Sequence, residues 1–299
     1  MEGHVLHAMT SVEPMPGDFP IHDFSPFLIQ FTESIGIRYY GLAYVLGFVA
    51  AIMLLYRAAK TDRTELKVQQ VESFWVYIAL GVVLGGRIGS VLLYSFGDFL
   101  KEPWIVFQVW NGGMASHGGF MGVTIAIFIF AYRHGLSALR LGDLVAMTAP
   151  IGIFFGRIAN FINGELWGKP STVAWAWVFP DAPVDYSAVR YFEPALGVMV
   201  NPRHPSQLYA AGLEGLLLGS FVLWRFWIQS GQMKRGGQLI AEFLIFYAMV
   251  RIMGEQFREP DADLILGVSR GIFYSVLTLV AGGGLWAWVF RSAQSKSAI

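Results

Sequence analysis

The chain of 299 residues is 55% hydrophobic and only 14% charged, has zero formal net charge and contains no cysteine. Soluble domains carry about 25% charged residues, so this composition, with a mean hydropathy of +0.51, excludes an ordinary soluble fold. Balanced charge offers nothing to nucleic acid, and the missing cysteine excludes disulfides, thiolate-bound metals and a thiol nucleophile of the chain's own.

In chain order, residues 1–36 contain no Lys or Arg but carry Glu2, Glu13, Asp18 and Asp23. They lack the basic start of a cleavable signal peptide and are expected to form a translocated, extracytoplasmic arm. Residues 37–299 are expected to form a single membrane-embedded domain of all-α, polytopic architecture. A span needs about 20 largely apolar residues, and candidates fall at 39–56, 73–95, 112–132, 143–163, 207–228, 238–256 and 271–290. Lys and Arg concentrate in alternate loops, at Arg57, Lys60, Arg63 and Lys67, then Arg133 and Arg140, then Lys234 and Arg235, with Arg291 and Lys296 in the tail. The opposite loops carry Lys101, then Lys169, Arg190 and Arg203, then Arg258 and Arg270. That bias puts the amino terminus outside and the carboxyl terminus in the cytoplasm, which suits about seven spans. The long 164–206 loop, with Trp167, Trp175, Trp177, Pro180, Pro183 and Tyr186, is expected to be a small extracytoplasmic cap.

Several polar residues fall at membrane depth. Arg87 sits within Gly85-Gly86-Arg87-Ile88-Gly89, and His117 follows Gly112-Gly113-Met114-Ala115-Ser116. Arg157, Asn160 and Asn163 lie at the outer end of the fourth span, and Arg251 and Glu255 in the outer half of the sixth, with Arg258 beyond. A charge at the bilayer centre costs about 2.5–3.5 kcal/mol on insertion scales, so such residues are paired, cavity-facing or functional. Tyr247, Arg251, Glu255 and Arg258 share one helical face, as do Arg157, Asn160 and Gly164.

Bland readings stand beside the functional ones. Arg87 is equally a packing residue paired with a carboxylate such as Glu255, His117 a satisfied core histidine, and Arg258 and Arg270 interfacial snorkellers. The ten Trp are expected chiefly in interfacial belts. The glycine stretches suit close helix approach, or leave room for a lipid chain, better than a nucleotide loop. The six histidines form no convincing metal site. For Arg157 and Arg251, Glu165 and Glu255 are the visible carboxylates, and the remaining positive charge points to a phosphate-bearing ligand held in bidentate geometry.

The block Gly156-Arg157-Ile158-Ala159-Asn160-Phe161-Ile162-Asn163-Gly164-Glu165-Leu166-Trp167-Gly168 closely resembles the signature of the bacterial prolipoprotein diacylglyceryl transferases. Supporting blocks follow the family's order: Tyr39-Tyr40-Gly41-Leu42, residues 85–89, His117-Gly118-Gly119, Arg203-His204-Pro205-Ser206-Gln207-Leu208-Tyr209, and Arg251 through Glu255 to Arg258-Glu259-Pro260-Asp261. The resemblance covers about residues 25–290. It departs at Ala210, Ser90 and Ala159, where the pattern leads one to expect Glu, an aromatic residue and Gly.

The resemblance implies transfer of the diacylglyceryl group of phosphatidylglycerol to the lipobox cysteine of a preprolipoprotein, with a thioether formed and glycerol 1-phosphate released. It implies a multi-pass protein of the bacterial inner membrane with its site toward the periplasm, taking membrane lipids and signal peptides as partners and needing no cofactor or metal. His117, Arg157 and Arg251 are the catalytic candidates. Tyr40, Arg87, Asn160, Asn163, Gly164, Glu165, Gly168, Tyr247, Glu255 and Arg258 are the candidate substrate-binding residues. A transporter or flippase for an anionic lipid using the same arginines, a headgroup transferase with another acceptor, and a non-catalytic relative are the alternatives. The lack of visible inverted repeats speaks against the transporter.

Overall fold

The computed structural model describes residues 19–32, 35–108, 113–229, 235–260 and 262–297. Of the sequence features singled out above, Glu2, Glu13, Asp18, Gly112, Lys234 and Asp261 lie outside these residues, as do two of the six histidines, His4 and His7. Among the described residues the fold is helical with two small hairpins. A hairpin of β1 (Phe27–Gln30) and β2 (Gly36–Arg38) leads into helix α1 (Tyr39–Lys60). Then come α2 (Val71–Tyr94), the short α3 (Phe96–Lys101), α4 (Ser116–His134) and α5 (Ala138–Ile162). A hairpin of β3 (Tyr191–Glu193) and β4 (Val198–Val200) precedes α6 (Ser206–Ala210), which runs through a π-helical stretch at Ala211–Leu217 into α7 (Leu218–Trp227). Helices α8 (Gln238–Glu255) and α9 (Arg270–Ser297) follow.

By length and apolar character, five segments are fit to cross a membrane: Tyr39–Lys60, Val68–Tyr94, Ala138–Ile162, Ser206–Trp227 and Arg270–Arg291. The other two expected spans are helical but more polar. Helix α4 opens on Ser116-His117-Gly118-Gly119 and closes on Arg133-His134, which shortens its apolar middle. Helix α8 carries Glu242, Arg251 and Glu255 within its length. Large apolar side chains such as Met53, Leu93, Phe128 and Val280 face outward, as a lipid-facing surface requires. The protein is a polytopic, mainly helical membrane protein.

The chain forms two compact units. One takes the described residues up to Gly47, Pro150–Leu218 and Phe246–Leu279. The other takes Phe48–Ala149, Gly219–Ile245 and the residues from Val280 onward.

In the second unit, α2 and α4 meet through glycines. A Cβ added at Gly81, Gly85 or Gly89 would run into the backbone of Gly118 or Gly122, and the reverse holds for those two. The glycine stretches therefore serve close helix approach, the first of the two readings above. Asp143 of α5 caps the start of α8, accepting from the backbone N–H of Gly237 at 2.8 Å and Ile240 at 3.0 Å. Arg225 of α7 is gripped by Glu242 of α8, with Nη2 2.5 Å from Oε1.

In the first unit, the 164–206 region is a folded cap around Phe19, Ala176, Val178, Tyr191 and Val200. Residues 19–22 of the amino-terminal segment pair with it: His22 N–H donates to the Val178 carbonyl at 2.8 Å, and Val178 N–H to Pro20 at 3.0 Å. Arg203 threads this cap with 1% exposure. It donates to the carbonyls of Gly168 at 3.1 Å and Pro183 at 2.6 Å and pairs with Glu259 at 3.3 Å. Burial lowers its pKa below the usual arginine range, opposed by the Glu259 carboxylate. The sequence showed Arg203 as a loop cation and the head of a family block; the structure makes it a tie between segments far apart in the chain.

Candidate functional site

The first unit gathers most of the expected site residues around the end of α5. Arg157 and Asn160 lie on its last two turns, and the helix stops in a left-handed C-cap. Gly164 adopts φ +66°, and Glu165 N–H reaches back to the Asn160 carbonyl at 3.1 Å, the long bond of a Schellman motif. A Cβ on Gly164 would lie 2.9 Å from the His22 ring, which itself bonds the Phe161 carbonyl through Nε2 at 2.6 Å. Glycine here is required twice, by the backbone and by the close imidazole.

That turn folds Glu165 over the helix end. Its Oε1 accepts from Tyr40 Oη at 2.7 Å and from Asn160 Nδ2 at 2.7 Å, and Asn160 Nδ2 also contacts Tyr40 Oη. Glu165, one of the two carboxylates visible to the arginines in the sequence, thus orients a tyrosine and an asparagine. Gly168 is the point where backbones meet. Its N–H donates to the His204 carbonyl at 3.0 Å, it bridges to Arg258, and a side chain there would strike His204 and the Phe257 carbonyl. Asn163 Oδ1 is buried with no hydrogen-bond partner among the described residues.

The arginines are held by a residue that sequence reasoning missed. Glu214, 0% exposed on the π-helical stretch, accepts from Arg157 Nε at 3.2 Å and Nη2 at 2.8 Å on Oε2, and from Arg251 Nη1 at 3.1 Å on Oε1. Glu255 takes Arg251 Nη2 at 2.9 Å and accepts from Ser269 Oγ at 2.9 Å. Tyr247, one turn before Arg251, shares a side-chain hydrogen bond with Arg157. Gly215 packs on Phe154, where a Cβ would come within 2.6 Å of the Phe154 Cβ, so the π-helical stretch lies tight against α5 and carries Glu214 to the arginines. The signal was present: Glu214 is the single acidic residue in the expected span 207–228.

This corrects the charge argument. Glu214 and Glu255 match Arg157 and Arg251 one for one, so an excess of positive charge does not by itself demand an anion. Donor capacity does remain. A guanidinium has five N–H groups in a fixed fork, and Glu214 takes only two of those on Arg157. Both arginines line one cleft with Asn160, Leu166, Ser206, Gln207, Ala210, Gly254 and Arg258. Preorganised donors around a cleft suit a phosphate or carboxylate ligand. Among the described residues no cluster of three or more His, Asp or Glu side chains is set to hold a metal ion.

Arg87 and His117 belong to the other unit. Arg87, buried on α2, donates to the carbonyls of Val106 at 3.3 Å and Gly113 at 3.3 Å and to that of Ile105. It ties Ile105, Val106 and Gly113 to α2 and lines a second cleft with Ser90, Ser95, Asp98 and Gln108. His117 occupies the first turn of α4 with its side chain exposed.

Apolar helices that carry a buried guanidinium–carboxylate cluster beside a donor-rich cleft define a polytopic membrane protein with a polar centre among its helices. Residues 26–288 match the family described as prolipoprotein diacylglyceryl transferase. The phosphatidylglycerol--prolipoprotein diacylglyceryl transferase of Bradyrhizobium diazoefficiens is 40% identical over 275 residues, covering 89% of this chain and 90% of that protein. Its namesake from Rhodopseudomonas palustris is 41% identical over 274 residues, 88% of each chain. That of Legionella pneumophila is 39% identical over 259 residues, covering 85% of this chain and 93% of the relative. The chain belongs to the prolipoprotein diacylglyceryl transferase family.

Proposed function

We propose that this protein transfers the diacylglyceryl group of phosphatidylglycerol to the lipobox cysteine of a preprolipoprotein. The observation that carries the reading is the placement of Arg157 and Arg251, fixed by one buried carboxylate, in the wall of one cleft in a chain with this family membership. The relatives' names supply the lipid and protein substrates.

In this reading the substrate thiolate attacks the glycerol carbon that bears the phosphodiester. The carbon–sulfur bond forms as the carbon–oxygen bond breaks, and glycerol 1-phosphate departs with the electron pair. Free thiols have a pKa of about 8.5, so a base must take the proton; His117 is the candidate. Arg157 and Arg251 stabilise the charge that builds on the departing phosphate, with Arg258 beside them. Tyr40, Asn160 and Tyr247 hydrogen-bond headgroup or signal peptide, and Arg87 and Asn163 contribute to substrate binding. Glu165 and Glu255 hold these donors, and Gly164 and Gly168 permit the turns that place them. The chain crosses the inner membrane about seven times, with its amino terminus and the 164–206 cap outside and the site facing the periplasm.

Purified protein in phosphatidylglycerol liposomes tests this. Glycerol phosphate should appear only when a lipobox peptide is present, in step with loss of free thiol. Movement of lipid label with no thiol consumed would instead support a transporter.

A further inference from the structure

Gln207, in the first turn of α6, is 2% exposed. Its Nε2 donates to the backbone carbonyl of Glu165 at 2.7 Å. A carbonyl oxygen only accepts, so this bond fixes which end of the amide is nitrogen and turns Oε1 the other way. Oε1 is buried and meets no donor among the described residues. Gln207 lines the same cleft as Arg157, Arg251 and Arg258. Neighbouring polar groups have partners: Ser206 Oγ donates to the Leu166 carbonyl at 2.9 Å, Glu165 is taken by Tyr40 and Asn160, and Glu214 by the arginines.

The cleft wall therefore combines guanidinium donors for an anion with Gln207, whose buried amide oxygen lacks a donor among the described residues. A ligand that completes both is a phosphate ester whose alcohol portion bears a further hydroxyl. An ammonium headgroup would also donate to an amide oxygen, but it would be pressed against guanidiniums of like charge. We propose that Gln207 Oε1 accepts a hydrogen bond from a glycerol hydroxyl of the phosphatidylglycerol headgroup and so sets headgroup preference. This rests on the reading that the cleft receives the lipid phosphate.

The test compares phosphatidylglycerol with phosphatidylpropanol, which keeps the phosphodiester and the three-carbon headgroup but lacks both hydroxyls. Full-length protein in liposomes of an inert neutral lipid, doped with one or the other, is assayed for thioether formation on a lipobox peptide. Wild type should favour phosphatidylglycerol by about 10–100-fold in kcat/KM, the scale of one or two hydrogen bonds to a buried polar group. Gln207→Met, similar in length and apolar, should shrink that ratio to within about threefold by lowering kcat/KM for phosphatidylglycerol alone. Ser206→Ala, which removes a bond to the protein backbone only, should leave the ratio as in wild type. Equal use of both lipids by wild type overturns the proposal even where Gln207→Met fails to fold. So does a Gln207→Met enzyme that loses activity on both lipids by the same factor, because Gln207 would then act only through its bond to Glu165. No product from either lipid would sink the transferase reading and this proposal together, whereas equal product from both sinks only this one.

Discussion

Arg157 and Arg251 sit on opposite oxygens of one carboxylate, that of Glu214, 2.8 Å and 3.1 Å away. Their separation is therefore fixed by the carboxylate. Fully buried, Glu214 is tolerable only with both partners, and each arginine depends on it in turn. Glu214→Gln leaves a neutral amide between two guanidiniums. Breaking a buried ionic cluster costs about 3–5 kcal/mol, so the thermal midpoint in detergent should fall and transfer activity should drop with it. Glu214→Asp keeps the charge at shorter reach and should fall between. A Gln variant with wild-type midpoint and turnover would remove the bridge from the mechanism.

Replacing Arg157 by Lys separates charge from geometry. Arg157 uses Nε and Nη2 together on Glu214 Oε2, a fork an ammonium cannot reproduce. Lysine would preserve the charge balance, so the protein should fold, but the aim of its remaining donors into the cleft would be lost. Loss of a preorganised donor costs about 100–1,000-fold in kcat. Single-turnover assays on folded Arg157→Lys enzyme check this, and near-normal turnover would refute the bidentate argument.

The sequence disclosed the helices through their apolar runs and the site through its arginines, because both signals are local. Charges inside spans stand out against apolar neighbours, and Arg157, Asn160 and Gly164 declare a shared face by spacing alone. Glu214 stood out by the same rule, as the single acidic residue of its expected span, but its role could not be read from it. Its pairing with Arg157 and Arg251 joins three segments distant in sequence, and no periodicity encodes that. Arg203 escaped for a similar reason, its partners Gly168, Pro183 and Glu259 being spread along the chain. The glycine stretches 85–89 and 112–119 were legible as a contact surface, while the choice between a helix and a lipid chain as occupant was settled only by the fit of Gly85 and Gly89 to Gly118.

Gly164 should tolerate no substitution. Alanine meets a left-handed backbone at φ +66° and the His22 ring at 2.9 Å. The first effect alone costs about 1 kcal/mol or more, and relaxing the turn would carry Glu165 away from Tyr40 and Asn160. Gly164→Ala should lower both stability and activity. Pairing it with His22→Ala removes the clash but not the backbone strain, so recovery should be partial. Full recovery in the double variant would show that the backbone conformation is unimportant.

His204 supplies a pH test in the cap. Burial, with Lys169 nearby, lowers its pKa below the usual histidine range. Trp175 Nε1 can only donate, and it lies 2.7 Å from Tyr209 Oη, so the tyrosine hydrogen is free to point at His204 Nδ1, 3.0 Å away. That arrangement requires neutral imidazole with its proton on Nε2. The folded state therefore binds a proton on His204 less readily than the unfolded chain, whose histidines titrate near pH 6.5. Its contribution is intact above that pH and is lost progressively as pH falls below it toward the folded value. Thermal midpoints measured from about pH 7.5 down to about pH 5 should decline in wild type. In His204→Asn, which has no group to protonate, the decline should be shallower over the same interval, even if that variant starts from a lower midpoint. Parallel curves would mean that His204 titrates alike in both states and that the Trp175–Tyr209–His204 chain does not hold the imidazole neutral.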